Sequence, residues 1–300
     1  MAEDYRKYLD PKVLMKISRL DLRARLIVEG FISGMHKSPF HGFSVEFAQH
    51  REYVPGDDIR HIDWKVWSKS DRFYIKQYEE ETNLRGYVLL DMSESMRYGS
   101  PGNMNKFDYA SCVAASLAFL LLRQQDAVSL SLFDTAVRTH VPPSGHPAQL
   151  RTMLKEVAGT SPERKTELGQ VFRELAEKAT RRGVVIIISD LFAPIESTIR
   201  GIQEFSHRRH DVIVFQVLDE YELTFPFQRN TLFRGLEDLP EALVEPRALR
   251  EAYLEAFGEF NAQLRRNCIA NNVDFVQLRT TDRLDAALAS YLASRQKRRK

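Results

Sequence analysis

Residues 184–188 constrain the fold of this chain most strongly, because they read Val-Val-Ile-Ile-Ile, five β-branched residues in succession. A short apolar run of this kind is typical of a strand covered on both faces, as in the centre of a parallel sheet. Further strand-like runs occur at 87–90, 127–133 and 212–217, with helical patterns between them. This alternation predicts an α/β domain in which helices flank a mostly parallel sheet.

The remaining elements of this domain follow from the same periodicity. Residues 137–141 predict a hairpin return at the sheet edge, and residues 274–278 predict a last strand. Residues 219–245 are irregular and contain two prolines, which indicates an insertion, with a hairpin as one possibility. Apolar residues at helical spacing predict helices at 107–123, 149–158, 167–180, 195–208, 249–271 and 284–295.

The chain before residue 84 follows a different pattern. Residues 11–32 have the apolar spacing of a helix, and residues 42–83 contain short aromatic and β-branched runs around a Pro-Gly-Asp-Asp turn at 55–58. We therefore predict two units. Residues 1–83 form an N-terminal helix and a small β-rich unit, and residues 84–300 form the α/β domain with its insertion around 219–245.

Composition places the chain among globular proteins of the cytoplasm. It has 300 residues, 43% of them hydrophobic and 28% charged, with a net charge of +2. The longest apolar runs are too short to span a bilayer, and the N-terminus lacks the apolar stretch of a signal peptide. Two cysteines, Cys112 and Cys268, fit a reducing compartment. We expect no membrane span, and no nucleic-acid partner, since only the basic terminus at 295–300 favours one.

A polar motif, Asp91-Met92-Ser93-Glu94-Ser95, follows the strand-like run at 87–90. One carboxylate and two hydroxyls at the end of a strand supply hard oxygen ligands for a small divalent cation, Mg²⁺ above all, or Mn²⁺. Taken alone, the motif fits a capped turn equally well.

Two further residues favour the metal. Asp190 directly follows the strand at 184–188, and Thr166 precedes the helix that leads into that strand. Open parallel sheets bind ligands beyond the carboxyl ends of their strands, where the strand order reverses. If the two strands are neighbours at that point, Asp91 and Asp190 face each other. Thr160 and Ser161 remain alternatives to Thr166 as the loop ligand.

The order of these residues resembles the metal-ion-dependent adhesion site of von Willebrand factor A domains. The resemblance implies that Ser93 and Ser95 bind the metal directly and that Thr166 is a switchable ligand. Asp91 and Asp190 would bind it through water. It also implies an open coordination position, which a carboxylate of a partner protein fills.

A second resemblance covers most of the chain. The motifs Gly42-x-Ser44-x-Glu46-Phe47 and 51–64, the latter Arg-x-Tyr-x-Pro-Gly-Asp-Asp-Ile-Arg-x-Ile-Asp-Trp, are similar to those of the bacterial domain-of-unknown-function fifty-eight family. Its members are typically encoded beside MoxR-type AAA+ ATPases, which implies such an ATPase as partner. One departure is Leu191, where A domains often have glycine.

These features favour a metal-dependent protein-interaction module, an adaptor or co-chaperone that docks acidic side chains of partner or client proteins. The alternative is a metal-dependent hydrolase or phosphatase that uses the same site. We expect no enzyme, because the motif at Asp91 lacks the second carboxylate of an aspartyl-phosphate phosphatase. The sequence also contains no nucleophile elbow and no P-loop.

Overall fold

The computed structural model describes residues 45–54, 64, 66–67, 73–80, 84–162, 168–233 and 242–282. These residues fall into two compact units, a smaller one up to residue 80 and a larger one from residue 84. The predicted helices at 11–32 and 284–295, the turn at 55–58 and Thr166 lie outside the described residues.

The smaller unit contains an antiparallel pair of strands, β1 (Val45–Glu52) and β2 (Tyr74–Glu80). The register shifts between Phe47 and Gln49, as at a β-bulge. Beside this ribbon, Trp67 stacks on Phe73 with 5.8 Å between ring centroids. Paired strands and stacked aromatic rings are what the β-branched and aromatic runs of this region predict.

The larger unit is built on a six-stranded mixed sheet. Its strand order is β10-β7-β6-β3-β4-β5; every neighbouring pair is parallel except β4 and β5, which form the predicted edge hairpin. The strands of this unit are β3 (Arg85–Asp91), β4 (Ala127–Phe133), β5 (Val137–Ser144), β6 (Val184–Ser189), β7 (Asp211–Leu218), β8 (Thr231–Phe233), β9 (Ala242–Val244) and β10 (Asp274–Arg279).

Helices cover the sheet. They are α1 (Lys106–Arg123), α2 (Gln149–Ala158), α3 (Leu168–Lys178), α4 (Ile195–His207), α5 (Glu220–Thr224) and α6 (Pro246–Ala270), and a 3-10 turn lies at Glu94–Arg97. Five of these six described helices have bounds within three residues of the predicted ones; α5 lies in the segment that was predicted to be irregular. The sheet with its flanking helices confirms the predicted α/β class.

The core explains why residues 87–90 of β3 and 184–188 of β6 are all apolar. Tyr87 and Leu89 of β3 pack in one buried cluster with side chains of α3, α4 and α6. Val88 and Leu90, which point to the opposite face of the sheet, are also fully buried, and α1 contacts β3 and β4. Strands buried on both faces carry no polar alternation.

The strand order reverses between β3 and β6. From β3 the chain continues to β4 on one side, and from β6 it continues to β7 on the other. The two strands run parallel, with Leu90 opposite Ile188 at their carboxyl ends. The two strands are therefore neighbours at the reversal point, which is the condition for Asp91 and Asp190 to face each other, and a ligand crevice of an open α/β sheet belongs at this edge.

The segment after β7 contains the short helix α5 and the antiparallel pair of β8 and β9, so the insertion is a hairpin where it is described. The ring of Phe225 lies 4.6 Å from that of Tyr253 on α6 and stacks on Phe233 of β8. On the hairpin, Leu232 and Leu243 pair across the strands and are exposed.

None of the described helices is both long enough and apolar enough to cross a membrane.

Candidate metal centre

Four of the five predicted site residues come together beyond the carboxyl ends of β3 and β6. Asp91 is the last residue of β3, Asp190 directly follows β6, and Ser93 and Ser95 lie in the loop and 3-10 turn after Asp91. Asp91, Ser93 and Asp190 are buried, whereas Ser95 is partly exposed. The site therefore reaches solvent on the side of Ser95.

Both carboxylate oxygens of Asp91 accept hydrogen bonds from the protein. The backbone N–H of Ser93 donates to Oδ1 at 2.8 Å, and the hydroxyl of Ser189 donates to Oδ2 at 2.5 Å. The same Ser189 oxygen accepts the N–H of Leu191 at 2.9 Å. Ser189 is a site residue that the sequence reading did not assign. Its signal was its place between the central strand and Asp190.

The surroundings of Asp91 disfavour its ionised form. Burial, and then repulsion by Asp190, raise its pKa from 3.8 to about 7, although hydrogen bonds from Ser189 and Ser93 act in the opposite direction. Two carboxylates at one buried point are stabilised by a cation between them. The electrostatics of the site therefore fit a bound divalent ion.

The two serine hydroxyls fit the coordination geometry of Mg²⁺. Ser93 Oγ and Ser95 Oγ are 3.0 Å apart. Adjacent ligands of an octahedral ion at about 2.0–2.1 Å are separated by about 2.9 Å, so both oxygens can bind one ion with little movement. In this arrangement Ser93 and Ser95 would hold the metal, and Asp91 would orient water bound to it.

Asp190 forms an ion pair with the ammonium group of Lys106. Its Oδ2 accepts a hydrogen bond from Lys106 Nζ at 2.8 Å, and its Oδ1 accepts the N–H of Phe192 at 3.1 Å. Lys106 Nζ also lies 2.7 Å from Glu222 Oε1. Lys106 begins α1, and Glu222 belongs to α5, so this ion-pair network connects two helices to the end of β6.

Lys106 is fully enclosed. Its exposed fraction is 0%, and its Nζ lies 4.5 Å from the centroid of the Phe192 ring. Burial acts to lower the pKa of the ammonium group, but Asp190 and Glu222 more than offset this effect and hold the pKa above its usual range. Lysine in such a position is charged throughout the physiological range, as a paired buried cation must be.

Sequence reasoning missed Lys106 and Glu222. The predicted helix began one residue later, at 107, and a lysine at a helix start is usually solvated. A possible signal is that this lysine opens a helix that is otherwise apolar on nearly every side.

The loop ligand remains a prediction, since Thr166 lies outside the described residues. Of the alternatives, Thr160 donates its hydroxyl to the carbonyl of Glu156 at 2.9 Å, at the end of α2, and Ser161 is exposed. Among the described residues, no three carboxylate, imidazole or thiol side chains are grouped to hold a metal. A metal at this site would depend on the serine hydroxyls.

Comparison with known proteins identifies the family. The model of the family described as "Protein of unknown function DUF58" matches residues 49–263. The chain belongs to this family. The match includes β3, α1, β6 and α5, and with them Asp91, Lys106, Asp190 and Glu222.

The chain is also similar to two mycobacterial proteins and to several solved structures. The Mycobacterium tuberculosis protein "Uncharacterized protein Rv1480" and the Mycobacterium bovis protein "Uncharacterized protein Mb1516" are each 27% identical over 96% of this chain and 91% of their own length. Similar solved structures include BatB from Bacteroides thetaiotaomicron (14% identity, 71% of this chain, 99% of that chain, TM-score 0.47). Another is the SpRpn10 VWA domain (11% identity, 69% of this chain, 94% of that chain, TM-score 0.38). At these TM-scores neither structure supports a conclusion about this chain.

Proposed function

We propose that this protein is a divalent-metal-dependent interaction module that docks acidic side chains of partner proteins, and that it is not an enzyme. The observation that carries the proposal is the convergence of Asp91, Ser93, Ser95 and Asp190 beyond the ends of two neighbouring parallel strands. The resemblance to adhesion-type sites, stated from the sequence, supports it.

The charge and exposure of the site suit docking. The hydroxyls of Ser93 and Ser95 are neutral ligands, so a bound Mg²⁺ keeps most of its positive charge. Ser95 is the partly exposed member, and the ion would be approached from its side. Mg²⁺ usually keeps several waters, and a carboxylate from outside can replace one of them.

The proposed partner is an AAA+ ATPase of the MoxR type, for which the protein would act as adaptor or co-chaperone. This part of the proposal rests on the resemblance to the family. Metal docking requires that the ATPase, or a client protein, presents an aspartate or glutamate at its surface.

Metal binding is tested by thermal unfolding in Mg²⁺, in Mn²⁺ and in EDTA. An ion at about a hundred times its dissociation constant stabilises by about 2.7 kcal/mol, roughly 5–10 °C for a domain of this size. We expect this shift in the wild type and its loss in Asp91→Asn. Asp126→Asn is the matched control, because Asp126 precedes β4 and so lies at the opposite edge of the sheet. No shift with either ion would contradict the proposal.

Docking is tested by measuring the affinity of a purified MoxR-type ATPase from the same organism by biolayer interferometry. We expect binding in Mg²⁺ that is lost in EDTA and in the double variant Ser93→Ala/Ser95→Ala. Equal binding with and without EDTA would show that the ATPase does not dock through the metal.

A further inference from the structure

The contacts of Asp190 differ from those of Asp91 in one respect. Among the described residues, the donors that hold Asp91 are neutral, a backbone N–H and a hydroxyl. Asp190 is held by a backbone N–H on one oxygen and by the ammonium of Lys106 on the other. A carboxylate that already neutralises a cation has less negative potential to offer to a second one.

Lys106 cannot easily leave this position. Its second partner, Glu222, is itself fixed, because Glu222 Oε2 accepts the N–H of Asp219 at 2.7 Å in the capping box of α5. The ring of Phe192 closes over the ammonium group. An ammonium that is 0% exposed and bound on both sides is held firmly against Asp190 by the fold.

The charges of the side chains around the site affect how tightly it can hold a divalent ion. When ionised, Asp91, Asp190 and Glu222 carry three negative charges and Lys106 carries one positive charge. Lys106 therefore offsets part of the carboxylate charge that a divalent ion would meet here. Without the lysine the three carboxylates would present a charge of −3 to that ion, and sites with more carboxylate charge hold divalent ions more tightly.

We propose that Lys106 is an internal cation that binds Asp190 in competition with the metal and thereby keeps the divalent ion weakly held by the loop from Asp91 to Ser95. The inference rests on the proposed metal site. Its consequence is an exchangeable ion, which suits a site that binds and releases a partner carboxylate. Lys106 is a positioning residue here and does not touch the ion.

The test measures Mn²⁺ affinity by electron paramagnetic resonance, which counts bound ions independently of protein stability. In Lys106→Met, we expect Mn²⁺ to bind at least tenfold more tightly than in the wild type. In Glu222→Gln, the ammonium loses one of its two carboxylates, and we expect binding at least threefold weaker. Lys178→Met is the control for loss of a positive charge, because Lys178 ends α3 and precedes β6, away from the site. Its affinity should stay within twofold of the wild type.

The outcomes separate the two proposals. Wild-type affinity in both Lys106→Met and Glu222→Gln, or weaker binding in Lys106→Met, overturns the role of the lysine and leaves the metal site standing. If only Lys106→Met binds Mn²⁺, the competition is supported and the metal dependence of the wild type is refuted. If no variant binds, both proposals fail. Should Lys106→Met not fold, the Mn²⁺ affinity of Glu222→Gln decides. Weaker binding supports the role of the lysine, and unchanged or tighter binding overturns it.

Discussion

At the scale of single residues, Leu191 combines an unfavourable backbone with a favourable side chain. Its φ is 60°, in the left-handed region that costs a residue other than glycine about 1–2 kcal/mol. Its side chain is fully buried in the cluster between β3, β6 and α4. Full burial of leucine contributes about 1.5–3 kcal/mol, which offsets the backbone cost. This balance explains how the chain can depart from the glycine that the resemblance leads one to expect.

Leu191→Gly should therefore destabilise the protein, by about 2 kcal/mol, because the cavity outweighs the relief of the backbone. Chemical denaturation followed by circular dichroism measures the change. Arg209 is the matched control, since its φ is 64° but its side chain is exposed at the end of α4. Arg209→Gly should stabilise by about 1 kcal/mol. A stabilising effect of both variants would refute the contribution of the Leu191 side chain.

At the scale of elements, α3 and α4 approach each other at two glycines. A Cβ on Gly201 would lie 2.9 Å from Cβ of Phe172, and a Cβ on Gly169 would lie 3.0 Å from the carbonyl oxygen of Ser197. These distances leave no room for a methyl group unless the helices move apart. The close crossing brings α4 onto α3, and both helices belong to the core beside β6.

Gly201→Ala should destabilise by about 1–3 kcal/mol through overpacking at this crossing. Gly258→Ala on α6 is the matched control, because nothing lies within 4 Å of a Cβ at that position. That variant should stabilise by about 0.5–1 kcal/mol through the higher helix propensity of alanine. Unfolding in urea distinguishes destabilisation by Gly201→Ala from stabilisation by Gly258→Ala. Equal effects of the two variants would show that α3 and α4 can move apart at the crossing.

At the scale of the whole molecule, a second buried carboxylate makes stability depend on pH. Asp126 Oδ1 accepts the N–H of Leu84 at 3.0 Å, while its Oδ2 has no hydrogen-bond partner among the described residues. Burial raises the pKa of Asp126 from 3.8 to about 7, against the opposing effect of the Leu84 hydrogen bond. Between these values the folded chain binds more protons than the unfolded chain. The contribution of Asp126 to the free energy of unfolding therefore falls as the pH rises from about 4 to about 7.

Asp126→Asn should remove this part of the pH dependence. The side-chain oxygen of asparagine still accepts the N–H of Leu84, and the amide adds a roughly constant cost for a buried donor. The difference in free energy of unfolding between variant and wild type should therefore shift in favour of the variant as the pH rises from 4 to 8. Urea unfolding across this range measures it, and parallel pH profiles would contradict the prediction.

The sequence by itself determined most of the described helices and strands and the placement of Asp91 and Asp190. The β-branched run at 184–188 and the apolar helix of α1 were sufficient for the α/β class, because short-range periodicity reflects burial on two faces of a strand. Asp91 and Asp190 could be predicted to meet, because each ends a strand and parallel strands end at the same edge. The agreement of predicted and observed bounds has the same local origin.

Only the tertiary structure decided how the carboxylates differ. Lys106 and Glu222 are separated from Asp190 by 84 and 32 positions, and Ser189 reaches Asp91 across 98. No periodicity in the sequence predicts such contacts, since side chains distant along the chain meet only when the helices have packed on the sheet. The ammonium beside Asp190, and the neutral donors beside Asp91, follow from that packing. Burial alone does not distinguish the two acids, because Asp91 and Asp190 are 0% and 1% exposed; the ion pair with Lys106 does.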